Sequence, residues 1–155
     1  MATHEMKGDL VRAAGDGMSV AHCVSADFAM GAGIARQLDD AFGIRAEILR
    51  EFVAGAAARI AVGDVIELRR VLSSTGATIS IYNLITKKTH RDLPTYESFE
   101  SAVAMLKKAC ARRNQEVLAV PRMGCGIDRL EWPRVREILD RNFVGSGTFL
   151  HVLVL

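Results

Sequence analysis

Apolar and polar positions change period several times along the chain, and each change predicts an element. Ser19–Ser25 (SVAHCVS) is an apolar run holding one histidine, and it reads as a buried strand. Ile34, Leu38, Ala41 and Phe42 then recur at helical spacing, and Gly43 stands where a C-terminal cap is expected. A second helix is predicted from about Arg45 to Val53, and the Ala-rich stretch Ala54–Ala61 after it fits no single element type. Val65–Leu72 alternates apolar with polar, Ser73–Gly76 supplies a turn, and Ile79–Ile85 follows, which predicts paired or neighbouring strands. The clearest helix carries Phe99, Ala102, Val103, Leu106, Ala109 and Cys110 on one face. It opens at Pro94–Thr95 and collects Lys107, Lys108, Arg112 and Arg113 near its C-terminal end, where positive charge suits the helix dipole. Glu116–Val120 is a buried strand, and a glycine-rich loop, Arg122–Asp128, leads from it to a helix faced by Trp132, Val135, Ile138 and Leu139. Pro133 fits the first turn of that helix, and Thr148–Leu155 closes the chain as a strand.

The predicted order, β-α-α-β-β-α-β-α-β, implies an α/β fold: a mixed central sheet between helices, three layers (α/β/α) in one domain over residues 1–155. No repeat, linker or low-complexity segment interrupts it. A hydrophobic share of 50% with 25% charged residues supports a packed interior and excludes long disorder. The net charge of +2, with signs interleaved almost everywhere, lacks the basic stripe of a dedicated nucleic-acid binder but suits a small anionic ligand. Three cysteines, Cys23, Cys110 and Cys125, are odd in number and form no CxxC pair, which argues against a disulfide framework or zinc site and for a reducing compartment. Met1–Leu10 is charged and polar rather than signal-like, and no apolar run approaches the roughly eighteen residues of a membrane span. The expectation is a soluble, intracellular monomer, cytoplasmic or nuclear, with no metal and no cofactor.

In open α/β sheets, ligands sit beyond the carboxyl ends of strands, in loops that lead into helices. Two such loops are rich in glycine: Gly31-Ala32-Gly33 and Gly124-Cys125-Gly126. Glycine lets backbone N–H groups approach a phosphate, and a following helix N-terminus adds favourable partial charge. Two such loops facing each other suit a pyrophosphate, while each alone is equally a tight turn. The pattern GxGxxG is absent from both, which disfavours an ordinary dinucleotide fold. Asp128 stands two residues past Gly126, either as a general acid/base at the mouth of a phosphate cleft or as a helix-proximal carboxylate paired with Arg129. Lys87 and Lys88 end an apolar strand, where a neutral amine is a nucleophile toward a sugar carbon and a solvated ammonium simply attracts phosphate. His22 reads as a hydrogen-bonded core histidine, Cys125 as a small residue in a tight loop, and Met18, Met30, Met105 and Met123 as packing.

Taken in order, Lys7-Gly8-Asp9-Leu10, Ala21-His22-Cys23-Val24-Ser25, Met30-Gly31-Ala32-Gly33-Ile34-Ala35, Leu84-Ile85-Thr86-Lys87-Lys88, Pro94-Thr95-Tyr96 and Pro121 to Leu130 resemble the terminal ADP-ribose protein glycohydrolase branch of the macrodomains. The resemblance runs from residue 7 to the C-terminus. Gly-Asp-Leu and Gly-x-Gly-Ile occur in macrodomains generally, whereas Ile-Thr-Lys-Lys together with Gly-Cys-Gly-Ile-Asp-Arg-Leu marks this branch. It implies that Asp9 bonds the adenine amino group, that Leu10 and the terminal Leu155 form the adenine pocket, and that Ser25 contacts the ligand. Gly31, Ala32 and Gly33, with Arg122, Met123, Gly124, Cys125, Gly126 and Ile127, would surround the diphosphate and distal ribose. Lys87 would attack the anomeric carbon and expel the carboxylate of a modified Glu or Asp, and Asp128 would move protons. The implied partners are ADP-ribose and ADP-ribosylated protein, with O-acetyl-ADP-ribose and ADP-ribosylated nucleic acid as further substrates of related members. A non-catalytic ADP-ribose reader and an ADP-ribose 1''-phosphate phosphatase are the rival readings. Ala54–Ala61, Ser73–Gly76 and Thr89–Leu93 correspond to no motif of the branch, and the last borders the proposed site.

Overall fold

The computed structural model describes residues 1–54 and 60–155. Six strands, β1 (Thr3–Lys7), β2 (Val20–Ser25), β3 (Val65–Val71), β4 (Thr78–Lys87), β5 (Val117–Val120) and β6 (Phe149–Val154), form one sheet in the order β1-β6-β5-β2-β4-β3. All neighbours run parallel except β3, which pairs antiparallel with β4 from Val65↔Leu84 to Val71↔Thr78. The sheet is mixed, as the alternation predicts. It lies between α1 (Leu10–Gly15), α2 (Gly33–Phe42) and α3 (Ile44–Ile48) on one face and α4 (Tyr96–Arg112) and α5 (Trp132–Phe143) on the other. β4 shows why its sequence is a nearly unbroken apolar run: Ile79, Ile81 and Ile85 pack with the first helix group, and Tyr82 and Leu84 with the second.

Several predicted ends are realised with their expected chemistry. Gly43 closes α2 in the left-handed conformation (φ 63°), and Thr95 and Ser98 form a reciprocal capping box at the start of α4. Other parts differ. Residues 3–7 carry little apolar character and no strand period, yet they form an edge strand. Parallel pairing with β6 holds them, and the Asp140 carboxylate accepts from the N–H groups of Ala2 and Thr3 (both 3.0 Å) and from the Thr3 hydroxyl (2.8 Å). α1 is also an addition, opened by Asp9, whose side chain accepts from the Arg12 N–H. The helix expected to run to Val53 ends at Ile48, and Leu49–Val53 continues as one π-helical turn. Most of the Ala-rich stretch, residues 55–59, lies outside the described residues.

A cavity opens where two strands part. β2 pairs with β5 only at Val20↔Ala119, so the two diverge toward their carboxyl ends. From β2 the chain passes to β3 at the sheet edge and returns inward to β4, all on one side of β2, and from β5 it moves the other way to β6. A reversal of this kind leaves a crevice at the carboxyl ends of the two strands.

Candidate active site

The crevice is a cleft of about 600 Å³, lined by the ends of β2 and β4 and by the loops that follow β2 and β5. Of the residues singled out in the sequence, Ser25, Gly31, Ala32, Gly33, Lys87, Arg122, Met123, Gly124, Gly126, Ile127 and Asp128 line it. Cys125 lies within the same loop but turns its thiol to the Met123 carbonyl (3.4 Å). Asp9, Leu10 and Leu155 are not part of the cleft wall. They stand at the adjacent carboxyl ends of β1 and β6, joined by the bond from the Gly8 N–H to the Val154 carbonyl (2.9 Å). Leu10 is buried in the core and Leu155 is exposed.

At the first glycine loop, Ala32 is the extended N-cap residue of α2 and no side chain caps the helix. Its leading N–H groups are therefore available to an anion, with the partial positive charge of the helix terminus behind them. The preceding backbone is bent through positive φ at Phe28 (52°) and Met30 (47°), and the Arg45 guanidinium donates to the Phe28 carbonyl (2.7 Å). The second loop is folded tightly on itself. Gly124 has φ 73°, a Cβ there would meet Leu130 Cδ1 at 2.7 Å, and the Leu130 N–H donates to the Gly124 carbonyl at 2.7 Å. The Arg122 Nε donates to Glu5 (2.9 Å) and the guanidinium lies over the Trp132 ring.

That folded loop aims Asp128 at Lys87. The Lys87 Nζ donates to Asp128 Oδ1 at 2.5 Å, and the two side chains are only 10% and 15% exposed. The pairing with Arg129 that the sequence allows does not form; Asp128 meets the lysine across the cleft instead. Lys88, next along, is exposed. A side-chain amine and a carboxylate in contact at the wall of a cavity are equipped to exchange a proton and to present a nucleophile.

Other groups in the region are less suited to attack. Burial pushes the Cys23 thiol far above its usual range, and the Asp128 carboxylate adds to this. Burial also raises Cys125. The Ser25 hydroxyl donates to Asp27 Oδ1 at 2.5 Å. Burial pushes His22 down to about 4 against an opposing bond to Asn83, so the ring is neutral at physiological pH. Its Nε2 meets Asn83 Oδ1 at 2.6 Å, while both amide hydrogens of Asn83 serve the carbonyls of Ile66 and Ile81. His22 is a bonded core histidine, as its apolar strand suggests, and it also lines the cleft floor with Nδ1 unpartnered.

Two residues near the lysine had no motif to reveal them. His90 lines the cleft, and its backbone N–H (3.0 Å) and ring Nδ1 (2.7 Å) both meet Asp27 Oδ2. Asp27 loses some solvation, but bonds from Ser25, from His90 and from the Ala29 N–H more than offset that and hold its carboxyl well below the ordinary range. The only sequence signal for this pair is a Ser-x-Asp at a strand end. Among the described residues no three His, Cys, Asp or Glu side chains gather as a metal site, and no helix is long and apolar enough to cross a membrane.

No model of a known protein family matches the chain. It is 35% identical over 150 residues to the human protein named ADP-ribose glycohydrolase OARD1, covering 97% of this chain and 90% of that one. Among solved structures it is similar to the macrodomain of Thermus aquaticus DarG, with a TM-score of 0.79, 20% identity, and coverage of 99% of this chain and 98% of that one. It also superposes on Thermosipho africanus DarTG in complex with ADP-ribose, with a TM-score of 0.80, 16% identity, and coverage of 100% of this chain and 42% of that one.

Proposed function

The chain belongs to the macrodomain family of ADP-ribose glycohydrolase OARD1, and on that premise we propose that it binds ADP-ribose and hydrolyses the bond between the distal ribose and an acidic side chain. The observation that carries the reading is the Lys87–Asp128 contact at 2.5 Å in the cleft, because binding alone requires neither group. In this reading the diphosphate takes the open N–H groups at the start of α2 and the backbone of the second glycine loop. The anomeric carbon of the distal ribose then lies at Lys87. Asp9, Leu10 and Leu155, at the ends of β1 and β6, form the adenine end of the site.

The chemistry follows from the pair. A proton passes from the Lys87 ammonium to Asp128, which leaves the amine lone pair free. The amine forms a C–N bond to the anomeric carbon as the C–O bond breaks, and the electron pair leaves on the carboxylate of the modified residue. Asp128 gives the first proton to solvent, the net proton that ester hydrolysis releases. As a carboxylate it then deprotonates water, which adds to the same carbon while the C–N bond of the lysyl ammonium breaks. This releases ADP-ribose and returns the neutral amine, which Asp128 reprotonates. The substrates are acyl esters of ADP-ribose: glutamyl and aspartyl linkages in proteins, and O-acetyl-ADP-ribose. A protein mono-ADP-ribosylated on glutamate, incubated with wild type and with Lys87→Ala, tests this. Label loss with wild type only, while both bind ADP-ribose, is the expected result. Equal loss with both removes Lys87 as nucleophile. Binding without loss in either makes the protein a reader, or a hydrolase of a different linkage such as a nucleic-acid base.

A further inference from the structure

The segment after Lys87 is exposed, yet it is fastened at one point. Asp27 makes four hydrogen bonds: Oδ1 accepts from the Ser25 hydroxyl (2.5 Å) and the Ala29 N–H (3.2 Å), and Oδ2 accepts from the His90 N–H (3.0 Å) and Nδ1 (2.7 Å). One carboxylate thus ties the end of β2, the approach to the first glycine loop and the strand exit of Lys87. The tie orients a side chain. With Nδ1 and the backbone N–H both committed to Asp27, Nε2 is the ring nitrogen left for a ligand. The imidazole borders the same cleft, and the His90 carbonyl lies 3.5 Å from the Lys87 Nζ. The His90 side chain is 56% exposed, so the ring is open to a ligand at the cleft edge. The helix terminus and glycine loops take the nucleotide side of the scissile bond. With the anomeric carbon at Lys87, the group that leaves it departs beside that amine, where His90 borders the cleft.

We propose that His90, oriented by Asp27, contacts the leaving carboxyl group and is a specificity-determining residue for the acyl side of the substrate; this rests on the hydrolase reading above. In its protonated form the ring donates from Nε2 to the oxygen that accepts the electron pair when the C–O bond breaks. The group departs as a carboxylate, so no proton need be transferred, and the bond acts by stabilising developing negative charge. Asp27 is a positioning residue that acts through the ring.

Two substitutions separate the halves of the imidazole. The amide nitrogen of His90→Gln reaches roughly where Nε2 sits, keeping a donor toward the cleft while losing the Asp27 bond. His90→Asn does the reverse, placing its amide near Nδ1. With glutamate-linked ADP-ribosyl protein as substrate, His90→Asn is expected to lose about tenfold in kcat/KM, the usual scale for one hydrogen bond to a charged group, whereas His90→Gln, which keeps the donor but not the Asp27 tether, is expected to lose roughly threefold. Both variants should bind free ADP-ribose, which lacks the leaving group, as tightly as wild type does. Near wild-type turnover in His90→Asn together with loss in His90→Gln overturns the proposal and leaves a structural latch. Equal loss in both, with weakened ADP-ribose binding, overturns it too. If wild type itself turns over no acyl-linked substrate, the hydrolase reading falls and takes this inference with it. An active wild type with insensitive His90 variants sinks the inference alone.

Discussion

The two glycine loops beside the cleft read alike as sequence and are built for opposite purposes. Gly31-Ala32-Gly33 runs directly into α2, whose N-terminus no side chain caps, and a Cβ at Gly31 would meet nothing within 4 Å. Its small residues keep an electropositive helix end accessible. The Gly124-Cys125-Gly126 loop turns back on Leu130, so that Gly124 is required by both its φ of 73° and the 2.7 Å approach of the leucine. Rigidity there holds Asp128 against Lys87. Only Gly126, where a Cβ would enter open space, resembles the glycines of the first loop in being small for access. The difference shows that one residue type leaves a helix end open in one loop and packs the protein on itself in the other.

The comparison can be broken at its strongest point by Asp128→Asn. If the second loop exists to deliver a proton-transfer group, turnover should fall by roughly 10²–10⁴-fold while ADP-ribose affinity stays nearly constant, as kinetics beside calorimetric titration would reveal. A parallel fall in affinity would make Asp128 a binding group. Gly126→Glu comes next. Its Cβ has room, so the variant should fold, but a carboxylate beside a diphosphate should weaken ADP-ribose binding by about a hundredfold, since like charges in contact cost several kcal/mol. Wild-type affinity would remove the diphosphate from this loop. Gly124→Ala should act on stability instead, lowering it by about 2–3 kcal/mol through left-handed strain and overpacking against Leu130. A thermal melt that does not move would mean that Leu130 yields without cost. The smallest effect belongs to Gly31→Ala, where no contact is made and stability should change by less than about 1 kcal/mol. A large loss there would erase the distinction between the loops.

Much of this was legible in the chain, for a definite reason. α4, with Phe99, Ala102, Val103, Leu106, Ala109 and Cys110 all buried, and β4, buried on both faces, announce themselves because one-sided or two-sided burial imprints a period on the sequence. β1 left no such imprint: Thr3–Lys7 is mostly polar at a sheet edge, held by β6 and by Asp140, far away in sequence. Apolar residues continue past Ile48, where α3 ends, so periodicity could not foretell the π-helical turn at Leu49–Val53. At the site, Lys87, Asp128 and the glycine loops stood out through their motifs. Asp27 and His90 did not, because their partnership spans 63 positions and neither carries a local pattern.

The sequence by itself determined the alternation of strands and helices, the layers they must form, the family and the positions of two glycine loops at strand ends. Those follow from local periodicity, from glycine's backbone freedom and from motifs written contiguously. Only the tertiary structure decided that Asp128 meets Lys87 rather than Arg129, that β2 and β5 part to open the cleft, and that Asp27 turns His90 toward it. The physical reason is range: each depends on groups that only the folded sheet brings within hydrogen-bond distance, and no local period records such a distance.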